Sequence, residues 1–265
     1  MNELLDFVLN DVATAALAVS GGVDSMTLAV FAHRHMGRER VTMMHAVSAA
    51  VPLEATERVR IWAKRENFRL EMIDAGEFDD ENYRSNPANR CFFCKGNLYG
   101  TIAGLTEATI FSGTNLDDLA EYRPGLEAAK RHAVRHPFVE AGMTKSAVRY
   151  LARDLGLGNL ADLPASPCLS SRVETAIRIE PALLQVVHAV EKLINDCLSP
   201  AIVRCRLRST GIVIELDRLA LKAADLDTRE GLVRKIAMLL PSDIARKPIG
   251  FSAYRNGSAF LHEDL

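Results

Sequence analysis

Short apolar runs alternate with amphipathic segments through the first half of the chain, and this alternation constrains the fold more than any other feature. Strands and helices that alternate at this spacing form βαβ units, which build a parallel sheet covered by helices on both faces. The predicted strands are 15–19, 41–47, 69–73 and 109–112, and the predicted helices are 26–35, 53–67 and 97–105. The sequence therefore predicts an α/β fold, in which ligands bind at the carboxyl ends of the strands.

The second half has a different pattern, which predicts a smaller α+β domain. A helix over 181–197 is followed by two strands, 202–207 and 211–216, and then by helical sequence over 219–240. Irregular sequence fills residues 74–89 and surrounds Pro164 and Pro167. We expect the larger α/β domain to span residues 1–170 and the smaller one to span residues 171–265.

Composition narrows the class of protein. The 265 residues are 48% apolar and 25% charged, so the chain is globular and long enough to bury a core without disulfides. The net charge of −2 argues against a dedicated nucleic-acid binder. The longest run without a charged side chain, Val41 to Leu53, has 13 residues, whereas a membrane span needs about 20. The acidic N-terminus does not resemble a secretory signal. We expect a cytoplasmic protein whose five cysteines are thiols, ligands or nucleophiles.

The segment 20–25, SGGVDS, follows the first predicted strand and opens the first predicted helix. Two adjacent glycines, Gly21 and Gly22, let a ligand approach the backbone closely. The helix start presents free N–H groups to an anion, and the hydroxyls of Ser20 and Ser25 add donors. The alternative is a glycine turn with a helix cap. The segment lacks the GK[ST] ending of a Walker-type loop.

This segment is similar to the SGGxDS loop of the PP-loop ATP pyrophosphatases, which have an adenine nucleotide alpha hydrolase-like fold. Those enzymes cleave ATP between its α and β phosphates and place AMP on a substrate oxygen. The resemblance implies that ATP binds here, with Asp24 as a ligand of Mg²⁺. It assigns the pyrophosphate site to Ser20, Gly21, Gly22, Asp24 and Ser25.

Three further motifs narrow the resemblance. They are NRCFFCK at 89–95, GTNLDD at 113–118 continuing to YRPG at 122–125, and EAGMTK at 140–145 continuing to SPCLSSR at 166–172. Together they resemble the LarE family of ATP-dependent sulfur transferases, which installs sulfur in the nickel-pincer cofactor of lactate racemase. The resemblance runs from about Asp11 to Arg172, and YRNGS at 254–258 resembles the family's C-terminal signature.

The resemblance implies that ATP adenylates a carboxylate of a pyridinium-3,5-dicarboxylate mononucleotide, releasing pyrophosphate. A sulfur nucleophile then displaces AMP and leaves a thiocarboxylate. In one branch of the family the enzyme's own cysteine, matched here by Cys168, gives up its sulfur and becomes dehydroalanine. In another branch three cysteines hold a [4Fe–4S] cluster that carries a transferable sulfide, and Cys91, Cys94 and Cys168 match that set. We favour the cluster, because it can be reloaded whereas a cysteine activated as a thiolate is consumed.

Other residues enter through the same resemblance. Gly113 and Thr114 would line the nucleotide site, while Asp117 and Asp118 are either metal ligands or members of a helix cap. Cys197 and Cys205 lie outside the matched motifs, and both are predicted to be structural.

The smaller domain would bind the small-molecule nucleotide substrate. Arg204 and Arg206 alternate on a predicted strand, so they share one face and match an Arg-x-Arg element of the family. Arginine pairs with phosphate and carboxylate in two-pronged geometry. The predicted substrate-binding set is Arg172, Arg204, Arg206, Glu191 and Glu215. The resemblance also implies a homo-oligomer.

Four positions depart from the family's pattern and leave the identity of the carboxylate open. Thr175 and Ala176 stand where an aromatic residue and a glycine are usual, and Ser209 and Thr210 replace a common His-Gly pair. A PP-loop tRNA thiolation enzyme and an amide-forming, ammonia-using ligase remain alternatives. A module that binds ATP without cleaving it is the non-enzymatic alternative.

Overall fold

A computed structural model describes residues 2–120, 123–164, 166–242 and 244–260. Tyr122, which belongs to the YRPG motif, lies outside the described residues. The strands are β1 (Ala15–Ala18), β2 (Val41–Ala46), β3 (Arg69–Ile73), β4 (Thr109–Ser112), β5 (Val203–Arg208), β6 (Gly211–Leu216) and β7 (Ile249–Ala253). The helices are α1 (Asn2–Asn10), α2 (Val23–Met36), α3 (Leu53–Glu66), α4 (Glu81–Arg84), α5 (Arg90–Leu105), α6 (Pro124–Arg131), α7 (Pro137–Glu140), α8 (Lys145–Asp154), α9 (Pro181–Leu198), α10 (Arg218–Ala223) and α11 (Leu226–Ala237).

The chain divides into two compact units, each assembled from two segments. The first unit combines Met1–Asp80 with Asn89–Ser166, and the second combines Glu81–Ala88 with Pro167–Leu265. The short segment 81–88 is therefore separated in sequence from the rest of its unit.

The first unit is built on a parallel sheet whose strand order is β3-β2-β1-β4. Side chains of β1 alternate between two apolar clusters. Leu17 packs in the cluster that includes α2 and α8, and Ala16 packs in the cluster that includes Tyr99 and Ile102 of α5. Because helices cover both faces, the strands need apolar residues at successive positions. This arrangement confirms the predicted α/β fold and the parallel sheet.

The second unit contains a smaller mixed sheet of order β5-β6-β7, in which β5 and β6 are antiparallel and β7 is parallel to β6. One face of α9 is buried in this unit through Leu184, Val187, Val190 and Ile194. These apolar side chains recur at helical spacing, which is why the sequence predicts the helix.

The segment 81–88 is tied to the second unit by side chains. The amide Nδ2 of Asn86 donates to the carbonyls of Glu174 and Ile177 at 2.8 and 2.9 Å. The hydroxyl of Tyr83 is 2.5 Å from that of Ser170, and both groups are buried. These contacts hold the loop that follows Cys168.

Several elements differ from the sequence-based expectations, and helices α1, α6, α7 and α8 are not among the predicted elements. The helix predicted to begin at residue 97 begins at Arg90, so it includes the cysteine motif. Helix α4 lies within the stretch predicted to be irregular, and β7 was not predicted. In the part of the chain that the structure describes, no helix has the length and apolar character that crossing a membrane requires.

Candidate active site

The phosphate-loop candidate, residues 20–25, connects β1 to α2 in the first unit and is held by its two serines. The hydroxyl of Ser25 accepts from the backbone N–H of Ser20 at 3.1 Å and donates to the carbonyl of Gly22 at 3.2 Å. Gly22 is the N-cap of α2 and makes no side-chain cap. The helix therefore begins without the side-chain acceptor that usually satisfies its first N–H groups, as an anion site requires.

Two glycines set the shape of this loop. Gly21 has φ of +78°, and a Cβ there would lie 2.5 Å from the carbonyl oxygen of Ala55 on α3. Gly113 follows β4, and a Cβ there would lie 2.7 Å from the backbone nitrogen of Ser25. Any larger residue at either position would displace the loop, so the structure brings Gly113 against the loop as its predicted role requires.

Asp24 points to a set of polar groups from other segments of the first unit. Its carboxylate forms an ion pair with Lys145 at the start of α8, and the amide of Asn115 donates to it at 3.5 Å. Lys145 belongs to the EAGMTK motif, but sequence reasoning did not assign it to the site. Its sequence separation from Asp24 is 121 residues, so only the fold reveals the contact.

The acidic pair after β4 serves the local backbone. Asp117 accepts from the backbone N–H of Lys145 at 3.0 Å, and Asp118 accepts from that of Asn115 at 3.0 Å. Asp118 also forms an ion pair with Arg123 at 2.8 Å. These contacts are those of turn and helix-start residues.

The Thr114 side chain belongs to a short hydrogen-bonded chain at the end of β4. Its hydroxyl is 3.0 Å from that of Ser112, which is 2.7 Å from Nδ1 of His136. Burial lowers the pKa of His136, so the neutral ring is favoured near pH 7. Sequence reasoning did not assign Ser112 or His136 to the site.

Cys168 is half-buried in the second unit and immediately precedes a 3₁₀ turn, Leu169–Arg172. The guanidinium of Arg172 turns back and donates to the carbonyls of Pro167 and Cys168 at 2.6 and 3.1 Å. The same group forms a two-pronged pair with Glu191 at 2.9 and 3.0 Å. Because Arg172 and Glu191 are both buried, this pair fixes the backbone of the Cys168 loop.

A second buried network adjoins that loop. Arg206 donates to Glu215 at 2.9 Å and to the carbonyl of Ser171 at 2.9 Å. Glu215 also accepts from Arg208 at 3.2 Å and from the hydroxyl of Ser258 at 2.5 Å. Glu215 thus links the YRNGS segment to Arg206 and Arg208 on β5.

Arg204 occupies the same face of β5 in a different environment. One Nη donates to the carbonyl of Val203 at 2.7 Å, and the guanidinium carbon lies 5.8 Å from the centre of the Tyr254 ring. Burial lowers the pKa of Arg204, and the charge of Arg172 lowers it further, while Glu191 opposes both. The structure therefore groups Arg172, Arg204 and Glu191 electrostatically.

The five cysteines are thiols. Cys91 and Cys94 are half-buried at positions i and i+3 of α5, so they share one side of the first helical turn. They belong to the first unit, and Cys168 belongs to the second. Burial raises the pKa of Cys205, which keeps that thiol protonated and unreactive.

Three thiols suit an iron–sulfur cluster chemically. However, within the described ranges no group of three or more His, Cys, Asp or Glu side chains is arranged to hold a metal ion. The cluster therefore stays a prediction.

Two departures from the family's pattern have visible local consequences. Ala176 has φ of +68°, a conformation that glycine adopts more readily, so the backbone retains the shape expected of the usual residue. Ser209 donates from both its backbone N–H and its hydroxyl to Glu174, at 3.1 and 2.7 Å. A serine at this position thus caps the adjacent loop.

Comparison with known proteins connects these features to a family. No protein-family model matches the sequence. An uncharacterized protein from Synechocystis is 38% identical over 181 residues, 67% of each chain. Pyridinium-3,5-bisthiocarboxylic acid mononucleotide synthase from Lactiplantibacillus plantarum is 27% identical over 78% of this chain and 76% of its own. An uncharacterized protein from Methanocaldococcus jannaschii is 26% identical over 76% and 77%.

These relatives span most of this chain, and one of them is a named synthase of a thiocarboxylated mononucleotide. The chain therefore belongs to the LarE family of the PP-loop superfamily.

Proposed function

We propose that this protein is an ATP-dependent sulfur transferase that converts a carboxylate of a pyridinium-3,5-dicarboxylate mononucleotide to a thiocarboxylate, with release of AMP and pyrophosphate. The observation that carries the proposal is the loop at the end of β1, shaped by Gly21 and Gly113, whose helix start lacks a side-chain cap. The relative of this protein from Lactiplantibacillus plantarum is named for a bisthiocarboxylic acid mononucleotide product, which supports the choice of substrate.

The first step would take place in the first unit. A substrate carboxylate oxygen attacks the α-phosphorus of ATP, the bond to the β-phosphate oxygen breaks, and pyrophosphate leaves with that electron pair. Ser20, Gly21, Gly22 and Ser25 would hold the pyrophosphate, while Gly113 and Thr114 would line the nucleotide site. Asp24 would hold Mg²⁺, which neutralises charge on the phosphate oxygens when bound.

Lys145 fits the same site as a mobile counter-charge to Asp24. In the structure it is paired with that carboxylate. A cation arriving with ATP would compete for Asp24, and the lysine would then be available to the phosphate oxygens. We propose no metal role for Asp117 or Asp118, because Asp117 accepts from the backbone N–H of Lys145 and Asp118 accepts from that of Asn115 in its own turn.

The second step would deliver sulfur to the acyl adenylate. A sulfur nucleophile attacks the acyl carbon, the bond to the AMP oxygen breaks, and AMP leaves. If the nucleophile is the Cys168 thiolate, the product is a thioester. Removal of the Cα proton by a base then forms the Cα=Cβ bond of dehydroalanine, the Cβ–S bond breaks, and sulfur leaves with that electron pair as the thiocarboxylate. A [4Fe–4S] cluster at Cys91, Cys94 and Cys168 is the other proposed sulfur source.

The buried charges of the second unit support a role in holding the substrate and the Cys168 loop. Arg172 fixes two carbonyls of that loop, and Arg206 fixes a third. We propose that Arg204, with its neighbours Arg172 and Arg206, provides the positive field for substrate phosphate and carboxylate. Glu191 and Glu215 would set the positions of these arginines.

We propose that the first unit is the ATP pyrophosphatase domain and that the second is the substrate, sulfur-transfer and oligomerisation domain. We also propose that the protein works in the cytoplasm as a homo-oligomer. Light scattering on purified protein tests the oligomer: a mass several times that of the 29.1 kDa chain is expected, and a monomer contradicts it.

The products of ATP test the central proposal. Purified protein, Mg²⁺, ATP and the dicarboxylate mononucleotide should yield AMP, pyrophosphate and thiocarboxylate. The Cys168→Ala variant should still release pyrophosphate but form no thiocarboxylate, while Cys197→Ala serves as the control and should behave as wild type. Formation of ADP contradicts the proposal, and full turnover by Cys168→Ala would favour the amide-forming alternative. Salt-sensitive tRNA binding would favour the thiolation alternative.

The sulfur source needs a separate measurement. Iron and acid-labile sulfide should be determined on protein reconstituted without oxygen, beside a Cys91→Ala control. About four of each per chain, lost in the control, would establish the cluster. Their absence in active protein, together with a chain lighter by one hydrogen sulfide after turnover, would establish Cys168 as a single-use donor.

A further inference from the structure

Arg58 lies on α3 against the phosphate-loop candidate and belongs to none of the motifs that carry the family resemblance. Its Nε donates to the carbonyl of Gly21 at 2.9 Å, across 37 residues of sequence. One turn earlier on the same helix, the carbonyl of Ala55 faces the missing side chain of Gly21. Helix α3 therefore packs against the loop, and Arg58 is a cation on the side of the helix that contacts it.

The positive charge of Arg58 has no carboxylate within ion-pair distance in the part of the chain that the structure describes. Among the residues that the structure describes, no carboxylate oxygen lies within 4.0 Å of its guanidinium nitrogens. Burial lowers the pKa of Arg58, and the charge of Glu54, one turn earlier, acts in the opposite direction. A half-buried cation without a close carboxylate pays for desolvation unless an anion arrives from outside.

Other arginines of the protein show what a structural role looks like here. Arg34 on α2 makes two bonds to Glu66, at 2.9 and 2.8 Å. Arg172 makes a similar pair with Glu191. Arg58 instead makes one bond to a loop carbonyl through Nε, and the guanidinium has four further N–H donors.

We propose that Arg58 is a further anion-binding residue of the loop, which contacts the β and γ phosphates that leave as pyrophosphate. The inference rests on the proposed function, in which the loop holds pyrophosphate. Breaking the bond at the α-phosphorus moves negative charge onto the leaving pyrophosphate. A guanidinium fixed to the loop by Nε can offer its Nη donors to those oxygens in two-pronged geometry.

The competing explanation is that Arg58 only braces Gly21. A brace would affect every ligand of the loop equally, whereas a phosphate contact would affect pyrophosphate and spare AMP. Arg58→Gln separates the two roles, because its amide can still donate to the Gly21 carbonyl but carries no charge. Arg60→Gln is the matched control, since Arg60 is exposed two residues further along the same helix.

The test is calorimetric titration of pyrophosphate and of AMP, each with Mg²⁺, into wild type and both variants. Arg58→Gln should weaken pyrophosphate binding by about 10- to 100-fold and change AMP binding by less than about 2-fold, as expected for a lost charge-assisted contact. Arg60→Gln should match wild type. Arg58→Lys, which keeps the charge, should bind pyrophosphate more tightly than Arg58→Gln.

Two outcomes would overturn this inference and leave the proposed function standing, and in both the wild-type protein binds pyrophosphate. In the first, Arg58→Gln binds pyrophosphate as tightly as wild type. In the second, Arg58→Gln loses affinity for AMP and for pyrophosphate to the same extent. If wild-type protein binds neither ligand, the proposed function fails together with this inference. If Arg58→Gln does not fold, Arg58→Lys carries the test, with weakened pyrophosphate binding and unchanged AMP binding as the expected result.

Discussion

In the first unit the ion pair of Asp24 and Lys145 beside the phosphate-loop candidate is partly exposed, whereas in the second unit the ion pairs around Cys168 are buried. Asp24 and Lys145 have side chains that are 24% and 32% exposed, while Arg206 and Glu215 are 4% and 1% exposed. If the first unit binds ATP as proposed, partly exposed donors suit it, because water can satisfy them whenever the nucleotide is away. The proposed role of Cys168 would instead benefit from the rigid support that buried, paired charges give its loop.

The largest effect is expected from breaking the buried pair behind the Cys168 loop. Glu191→Gln leaves Arg172 as a buried charge without its carboxylate, which should cost about 3–5 kcal/mol of unfolding free energy. Asp162→Asn is the matched control, because it removes the carboxylate of an exposed pair with Arg153. Urea unfolding measures the unfolding free energy of both variants. Equal losses of unfolding free energy would contradict the contrast between the buried pairs of the second unit and the exposed pairs of the first.

The next effect concerns ligand binding in the first unit. Gly21→Ala should weaken pyrophosphate binding by at least about 100-fold, because its Cβ would collide with a backbone carbonyl of α3 and shift the loop. Gly156→Ala is the control: Gly156 has a similar φ of +76° with open space around it, so only stability should fall, by about 1–2 kcal/mol. Normal pyrophosphate binding by Gly21→Ala would contradict the described loop.

A smaller effect is expected from pH. His45 is 1% exposed, lies between the Val19 carbonyl and the Thr56 hydroxyl, and has a pKa lowered by burial. Below its ordinary pKa of 6.5 the unfolded chain takes up a proton before the folded one does. Stability is therefore full above pH 6.5 and falls as the pH drops through the folded pKa.

Urea unfolding of wild type and His45→Gln at pH 7.5 and 5.5 measures this linkage. The variant should lose less stability between the two pH values than wild type. Some loss should remain, because burial also lowers the pKa of His33 and His136 in the same unit. An identical pH dependence of both proteins would show that His45 does not contribute.

The smallest expected effect is an increase in stability. Ala176→Gly relieves a left-handed backbone in the second unit and should raise the unfolding free energy by about 0.5–1 kcal/mol. Ala189→Gly in helix α9 is the control and should lower it by about the same amount. A loss at Ala176 as large as that at Ala189 would contradict the conformation described for this loop.

Local sequence predicted what depends on neighbouring residues. Strands β3, β4 and β6 have the predicted bounds, because their consecutive or alternating apolar residues are a pattern that is local in the sequence. The loop between β1 and α2 was predicted because its glycines and serines are adjacent in the chain.

Contacts across long sequence separations could not be predicted. Lys145 reaches Asp24 across 121 residues, and Asn86 reaches Glu174 across 88. The family resemblance assigns Arg172, Arg206, Glu191 and Glu215 to the substrate, and their pairing with one another becomes visible only when α9, β5 and β6 are packed. Strand β7, with its glycine and serine, has too weak a pattern to be distinguished from a loop.

The discontinuous second unit also limits how this protein can be rebuilt. Its octapeptide 81–88 is translated long before residue 167, yet Tyr83 and Asn86 complete hydrogen bonds with the later segment. A ribosome must therefore finish the whole first unit before Tyr83 and Asn86 can make these hydrogen bonds. Exchanging C-terminal halves between homologous genes would separate it from its partners, so a working chimera must also transplant residues 81–88.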